Sequence, residues 1–126
     1  MESQNNIESL IPSYLRESSL FFTIVTDLTG CYSYVNEYFK NKFSFITNDF
    51  IGKPFDIAVH DTDTKYCREA VEELFKNPDS VVKSRIRKPS NSDGDFFWSD
   101  WDYSLLKNKN NEVIGVLCIG VDVTEN

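Results

Sequence analysis

The most restrictive stretch of this chain is its last one. Val113 to Val123 is apolar on both of its faces, with glycines at 115 and 120. A strand that is dry on both sides belongs in the middle of a sheet, with a layer packed over each face. The two segments before it carry a different signature. Ser80 to Arg87 alternates Val82, Ser84 and Ile86 with Lys83, Arg85 and Arg87, and Asp95 to Leu106 alternates Phe97, Trp101, Tyr103 and Leu105 with Asp100 and Asp102. Each predicts a strand with one dry and one wet side. Polar turns at Asp93-Gly94 and at Lys107 to Asn111 separate the three strands into a meander.

Upstream, Phe21 to Asp27 and Cys31 to Val35 are strand-like and flank the turn Asp27-Leu-Thr-Gly30, so they predict a hairpin. Asn36 stands where a helix N-cap is needed, with Glu37 in the first turn and Phe39, Phe43 and Ile46 along one face. Asn48 to Val59 holds Gly52 and Pro54 and has room for single helical turns only. From Asp61 onward, Tyr66, Ala70 and Leu74, with Cys67, Val71 and Phe75 beside them, recur at helical spacing up to Asn77-Pro78. This is the one long helix. The order β-β-α-α-α-β-β-β predicts an α+β fold: a five-stranded antiparallel sheet with short helices and one longer helix packed over one face.

The second face of the sheet then needs its own cover. Residues 1–20 form a leader in which Ile7, Leu10, Ile11 and Tyr14 make a one-sided stripe, broken by Pro12 into two short turns. The leader, a partner subunit or both can supply the layer. Phe96 and Trp98 fall on the outward parity of their strand, so the leader is expected to cover them, in a homodimer or as a docked segment.

Composition narrows the function. A chain of 126 residues is one domain, with residues 1–20 as its helical leader and residues 21–125 holding the five strands and the helices between them. A net charge of -7 opposes binding to phosphate backbones or anionic lipid, so neither nucleic acid nor membrane is an expected partner. The longest uninterrupted apolar run, Val116 to Ile119, falls far short of the ~20 residues of a membrane span. The polar start, Met-Glu-Ser-Gln-Asn-Asn, lacks the regions of a secretion signal. Cys31, Cys67 and Cys118 are odd in number and widely spaced, which predicts reduced thiols and a cytoplasmic setting.

Reactive constellations are scarce. Asp100 and Asp102 share one side of a strand, about 7 Å apart by strand geometry, but Lys83 and Arg85 on the neighbouring strand predict cross-strand ion pairs. Asn91-x-Asp93-Gly94 resembles the middle of a calcium loop but lacks its first and last ligands, so it reads as a turn. With one histidine and no glycine-rich phosphate loop, the chain offers no catalytic set and is expected not to be an enzyme.

Taken in order, Asp27-x-x-Gly30, Tyr34-Val-Asn36, Ile51-Gly52-Lys53, His60-Asp-Thr-Asp63, Asp93-Gly94 with Trp98, and Gly115 leading to Asp122-Val123-Thr124-Glu125 resemble the PAS domain family. The resemblance implies a sensory module, one part of a longer signalling protein, a sensor histidine kinase before other effectors. It implies roles for Gly30 as the turn glycine, Asn36 as the helix cap and Gly52 as a helix-terminating glycine. It also implies that Asp122, Val123 and Thr124 tie the last strand to an outgoing helix and form the signal-output junction. The candidate pocket, between sheet and helices, is lined by Tyr34, Phe55, Ile86, Trp101 and Gly120. A stand-alone carrier or catalytic pocket for a small apolar molecule is the alternative reading.

Cofactors follow from the same resemblance. Light-sensing relatives place a reactive cysteine in Gly-x-x-Cys; here the stretch is Gly52-Lys-Pro-Phe55, so a flavin–cysteine adduct is not expected. Haem-binding relatives need a histidine within the long helix, and His60 precedes it. Cys67 is expected to be a packed core thiol. Relatives that bind dicarboxylates cluster cations in the pocket, whereas Lys83, Arg85 and Arg87 have outward parity, so no such ligand is expected.

Overall fold

A computed structural model describes residues 7–124. The leader has one turn over residues 7–10 and a short helix, α1 (Ser13–Arg16), that starts behind Pro12. Strands β1 (Phe22–Thr26) and β2 (Tyr32–Val35) follow, then α2 (Glu37–Lys42), two 3-10 turns (Phe55–Ala58 and Asp61–Asp63) and the long helix α3 (Thr64–Lys76). Strands β3 (Val82–Pro89), β4 (Phe96–Lys107) and β5 (Val113–Asp122) complete the chain. The sheet is antiparallel with order β2-β1-β5-β4-β3, so β5 takes the central place that its two-sided apolar pattern requires.

The inner face carries the main core. Phe22, Phe39, Phe43, Phe50, Phe97 and Trp101 pack between sheet and helices, with Leu74 and Ala70 reaching in from α3. Phe22 stacks on both Tyr38 and Trp101, at centroid distances of 4.7 and 5.9 Å. The outer wet faces of β3 and β4 are laced as expected: Lys83 meets Asp102 at 2.8 Å and Arg85 meets Asp100 at 2.6 Å.

The leader docks on the outer face in its own chain. Ile7, Ile11 and Leu15 pack on Val25, Tyr34 and Leu106, against Leu10, Ile114, Leu117 and Ile119. The expected stripe needs one correction. Tyr14 is 74% exposed and Leu15 takes its place in the contact, because the helix restarts at Pro12 out of phase with the first turn. A second correction concerns Phe96 and Trp98. The leader lies over β1, β2, β5 and the Leu106 end of β4 rather than over the β3–β4 corner that carries Phe96 and Trp98, and both aromatics stay partly exposed.

Asn36 joins these layers. Its Oδ1 accepts from the backbone N–H of Phe39, as an N-cap should, and also from that of Thr23. Its Nδ2 donates to the carbonyls of Leu15 and Phe21, so the residue that starts α2 also holds the end of the leader. Gly30 closes the hairpin turn at φ +87°, where a side chain would strain the backbone. Gly52 has the same φ of +87° but terminates no helix: α2 ends at Lys42, and Gly52 lies in a turn whose N–H bonds to the Tyr32 carbonyl.

Candidate functional site

A cavity of about 350 Å³ lies between the inner face of the sheet and α3, with its mouth at the Asp27–Gly30 turn. Of the candidate lining residues, Phe55, Ile86 and Trp101 face it. Gly120 lies on the same face but directly beneath the Trp101 indole; a Cβ there would stand 2.5 Å from the ring. The glycine makes room for the tryptophan, and the tryptophan forms the wall.

Tyr34 is on the opposite side of the sheet, packed against the leader. The cause is a bulge: Val25 pairs with Tyr34 but Thr26 pairs with Tyr32, so Ser33 is the extra residue and the alternation reverses across it. Tyr32 therefore takes the cavity side, its hydroxyl donating to the Phe55 carbonyl at 2.8 Å.

Most polar atoms of the wall are paired within the fold. The hydroxyls of Ser84 and Tyr103 are 2.8 Å apart, and the Tyr103 hydroxyl lies 3.9 Å from the Cys67 sulfur. Trp101 Nε1 donates to Ser99 Oγ at 2.7 Å, and that hydroxyl donates to the Ile86 carbonyl. Burial pushes the Cys67 thiol up and the Cys118 thiol up to about 12, so both cavity cysteines are neutral thiols. Phe55, at the position where light-sensing relatives hold a reactive thiol, presents a ring instead. His60 lies outside the cavity, where its Nδ1 accepts from the Thr62 N–H and its ring meets the edge of Phe96. Among the described residues no cluster of three or more metal-ligating side chains occurs.

One functional group escaped the sequence reading. Strand β3 runs on to Pro89, so the inward alternation of Val82, Ser84 and Ile86 continues to Lys88. That side chain is 2% exposed, and its ammonium lies 4.7 Å from the Trp101 centroid and 5.5 Å from that of Phe39. Burial pulls the Lys88 amine down from its ordinary value to about 8. Lys83 and Arg85 keep the outward parity expected of them, and Lys88, the next residue of the inward set, brings a cation into the pocket. The signal lies in the period of two, which runs one step past the Ser80 to Arg87 alternation because the strand continues to Pro89.

The junction at the end of β5 is fastened to β4. Val123 N–H donates to the Trp98 carbonyl at 3.0 Å, Trp98 N–H donates to Thr124 Oγ1 at 2.8 Å, and Thr124 N–H donates to Asp122 Oδ1 at 2.9 Å. Glu125, the last residue of the motif, lies outside the described residues. Arg87 ties this latch to the long helix. Its backbone N–H and its guanidinium donate to the buried Asp63 carboxylate at 2.7, 2.8 and 3.0 Å, while its guanidinium lies over the Trp98 ring at 5.1 Å. Arg87 is therefore not a solvated outward cation like Lys83. The Arg87 guanidinium holds the Asp63 carboxyl below the usual range.

Comparison with solved structures places this arrangement among known folds. The chain is similar to the PAS domain of a protein from Colwellia psychrerythraea, with 21% identity and a TM-score of 0.74 over 90% of this chain and 94% of that one. An RNA-binding light-oxygen-voltage receptor is 20% identical with a TM-score of 0.70, covering 96% of this chain and 34% of that one. The PAS-B domain of Drosophila melanogaster Cycle with bound ethylene glycol is 14% identical, with a TM-score of 0.66 over 81% of this chain and 99% of that one. No curated protein sequence matches. Among the described residues no helix is long and apolar enough to cross a membrane. A family model described as PAS domain matches residues 19–125, in keeping with the sheet order, the capped helix and the Asp122–Thr124 latch, and the chain belongs to the PAS domain family.

Proposed function

We propose that this domain is a non-enzymatic sensory module that senses the occupancy of its inner cavity and passes the change through Asp122–Thr124 to an effector. A sensor histidine kinase is the effector we favour, from the family resemblance. The observation that carries this reading is the shared wiring of cavity and junction. Helix α3 contributes Cys67 and Val71 to the cavity wall, and Asp63 at its start grips Arg87, which lies on Trp98, whose backbone holds Val123 and Thr124. Trp101 in the cavity wall is three residues along β4 from that same Trp98. A ligand that shifts α3 or the Trp101 ring therefore acts on a short, packed route to the junction.

Amide exchange tests the reading. Compounds that raise the melting temperature, and whose binding is blocked by filling the cavity with Ile86→Trp, should change exchange at the Trp98 and Val123 amides. A cavity binder that leaves both amides unaltered would refute the relay. Mass spectrometry of the same mixtures should recover each compound unchanged; turnover would favour the catalytic-pocket alternative. A homodimer through the leader and outer sheet face belongs to the same proposal. Removing residues 1–19 should then slow sedimentation, and an unchanged sedimentation coefficient would argue against that interface.

A further inference from the structure

The cavity wall contains a cation for which the described residues supply no anion. Among the described residues no hydrogen bond or ion pair reaches Lys88 Nζ; its contacts are the faces of Trp101, Phe39 and Phe43 at 4.7, 5.5 and 5.6 Å. Aromatic faces attract an ammonium but accept little of its hydrogen bonding, and Lys carries three donors. No side-chain nitrogen or oxygen among the described residues is both sealed from contact and unpartnered. The Lys88 amine, with no partner, must therefore keep some reachable surface, and the residue lines the cavity. Around it the wall is apolar or already paired, as with Tyr32, Tyr103 and Trp101.

We propose that this cavity binds an apolar monocarboxylate, of the size of a medium-chain fatty acid or an arylalkanoic acid, with its carboxylate on the Lys88 ammonium and its body along Ile24, Ile86 and Val116. The inference rests on the reading of the cavity as a ligand site and names the class of ligand. Burying a charge without a partner is unfavourable, and an anion delivered with the ligand removes the deficit. One carboxylate is the match because a second cation, Arg68, stands at the mouth, more than half exposed and 3.8 Å from Asp56. A volume of about 350 Å³ lies at the small end of the ~300–1,000 Å³ range of ligand sites.

The charge of the site depends on few groups. Cys67 from α3 and Cys118 from β5 act on the amine, Tyr32 from β2 and Tyr103 from β4 line the same cavity, and burial keeps all four protonated at neutral pH. Asp27, Arg68 and Glu72 stand at the mouth. With the free amine titrating near 8, carboxylate affinity should hold steady from pH 6 to 7.5 and fall about thirtyfold by pH 9.5.

Calorimetric titration with octanoate, and with octan-1-ol as the uncharged probe of the same chain length, tests the proposal. Octanoate should bind one per chain and at least tenfold more tightly than octanol. Lys88→Met should abolish that preference while keeping octanol binding, and Lys88→Arg should retain it. Equal binding of the two probes, a preference that survives Lys88→Met, a flat pH profile, or no octanoate binding at millimolar concentration would each overturn the proposal. Octanol binding that alters exchange at Trp98 without any carboxylate preference would overturn the ligand class and leave the relay standing. Lys88-dependent octanoate binding that leaves the junction unaltered would support the ligand class and refute the relay.

Discussion

Replacing Lys88 by methionine should stabilise the domain, and the gain should fade as pH rises. Methionine keeps the length and much of the volume of the lysine stem, so the surrounding rings need not repack. The folded amine titrates near 8 rather than at its ordinary 10.5; at 1.36 kcal/mol for each tenfold step, the protonated form is disfavoured in the fold by about 3 kcal/mol. The folded titration value is already the net of everything around the amine, aromatic faces included, so the expected gain on substitution at low pH is about 3 kcal/mol. The sign follows from proton counting. Between pH 8 and 10.5 the unfolded chain holds a proton at Lys88 that the folded chain has shed, so wild-type stability rises with pH across that window. Below pH 8 the full penalty applies, and above 10.5 it is gone.

Urea unfolding of both proteins at pH steps from 6 to 10.5 measures this, and the difference between them is the quantity to follow. Tyr32 and Tyr103, whose titrations are raised by burial, destabilise both proteins alike at alkaline pH and cancel in the difference, whereas Cys67 and Cys118 feel the Lys88 charge and lose that lowering influence in the variant. The variant should be about 3 kcal/mol more stable at pH 6 and nearly equal to wild type at pH 10.5. A difference that stays constant across the series, or a variant less stable at pH 6, would show that the amine is not held as a disfavoured buried cation.

Asn36→Ala removes two accepted and two donated hydrogen bonds at once, so it should cost about 2–3 kcal/mol and expose the amides of α1 to exchange; global destabilisation with the leader still protected would contradict its role as the clamp. Asp63→Asn should flatten acid unfolding. The carboxyl titrates below its ordinary value because of Arg87, so its contribution is present above about pH 4 and lost as pH falls toward the folded value; an unchanged stability gap between variant and wild type from pH 5 to 2 would argue against the pair. Gly120→Ala places a methyl group 2.5 Å from the Trp101 ring; the overpacking should cost about 1–3 kcal/mol and shift tryptophan emission, and a silent spectrum would mean that the indole does not lie over this glycine.

The candidate site was legible where one face of one strand sufficed to define it. Ile86 and Trp101 follow from parity within β3 and β4, and both line the cavity. Tyr34 does not, because the alternation it was read from crosses a bulge, and a bulge is a matter of how two strands pair. Lys88 was obscured by its neighbours: in Arg85-Ile-Arg87-Lys88 the last residue looks like one more solvated cation, and only the strand's continuation to Pro89 turns it inward. The parity of Arg87 is legible in its strand, yet its partner Asp63 is 24 residues away in sequence, beyond the reach of any local pattern.

The amino-acid order alone determined the elements and the architecture. Periods of two and of helical spacing, turn residues at Asp27 to Gly30 and Asp93-Gly94, and a doubly apolar last strand suffice to place β5 in the centre of an antiparallel sheet, because local propensity and burial demand agree there. Tertiary structure decided what meets across the layers: the leader's position on β1, β2, β5 and the Leu106 end of β4, the Asp63–Arg87–Trp98 chain that reaches the junction, and the aromatic surroundings of a lysine that meets no anion among the described residues. Those contacts depend on how helices and strands distant in sequence approach one another, and a periodicity within one segment carries no information about its partner in another.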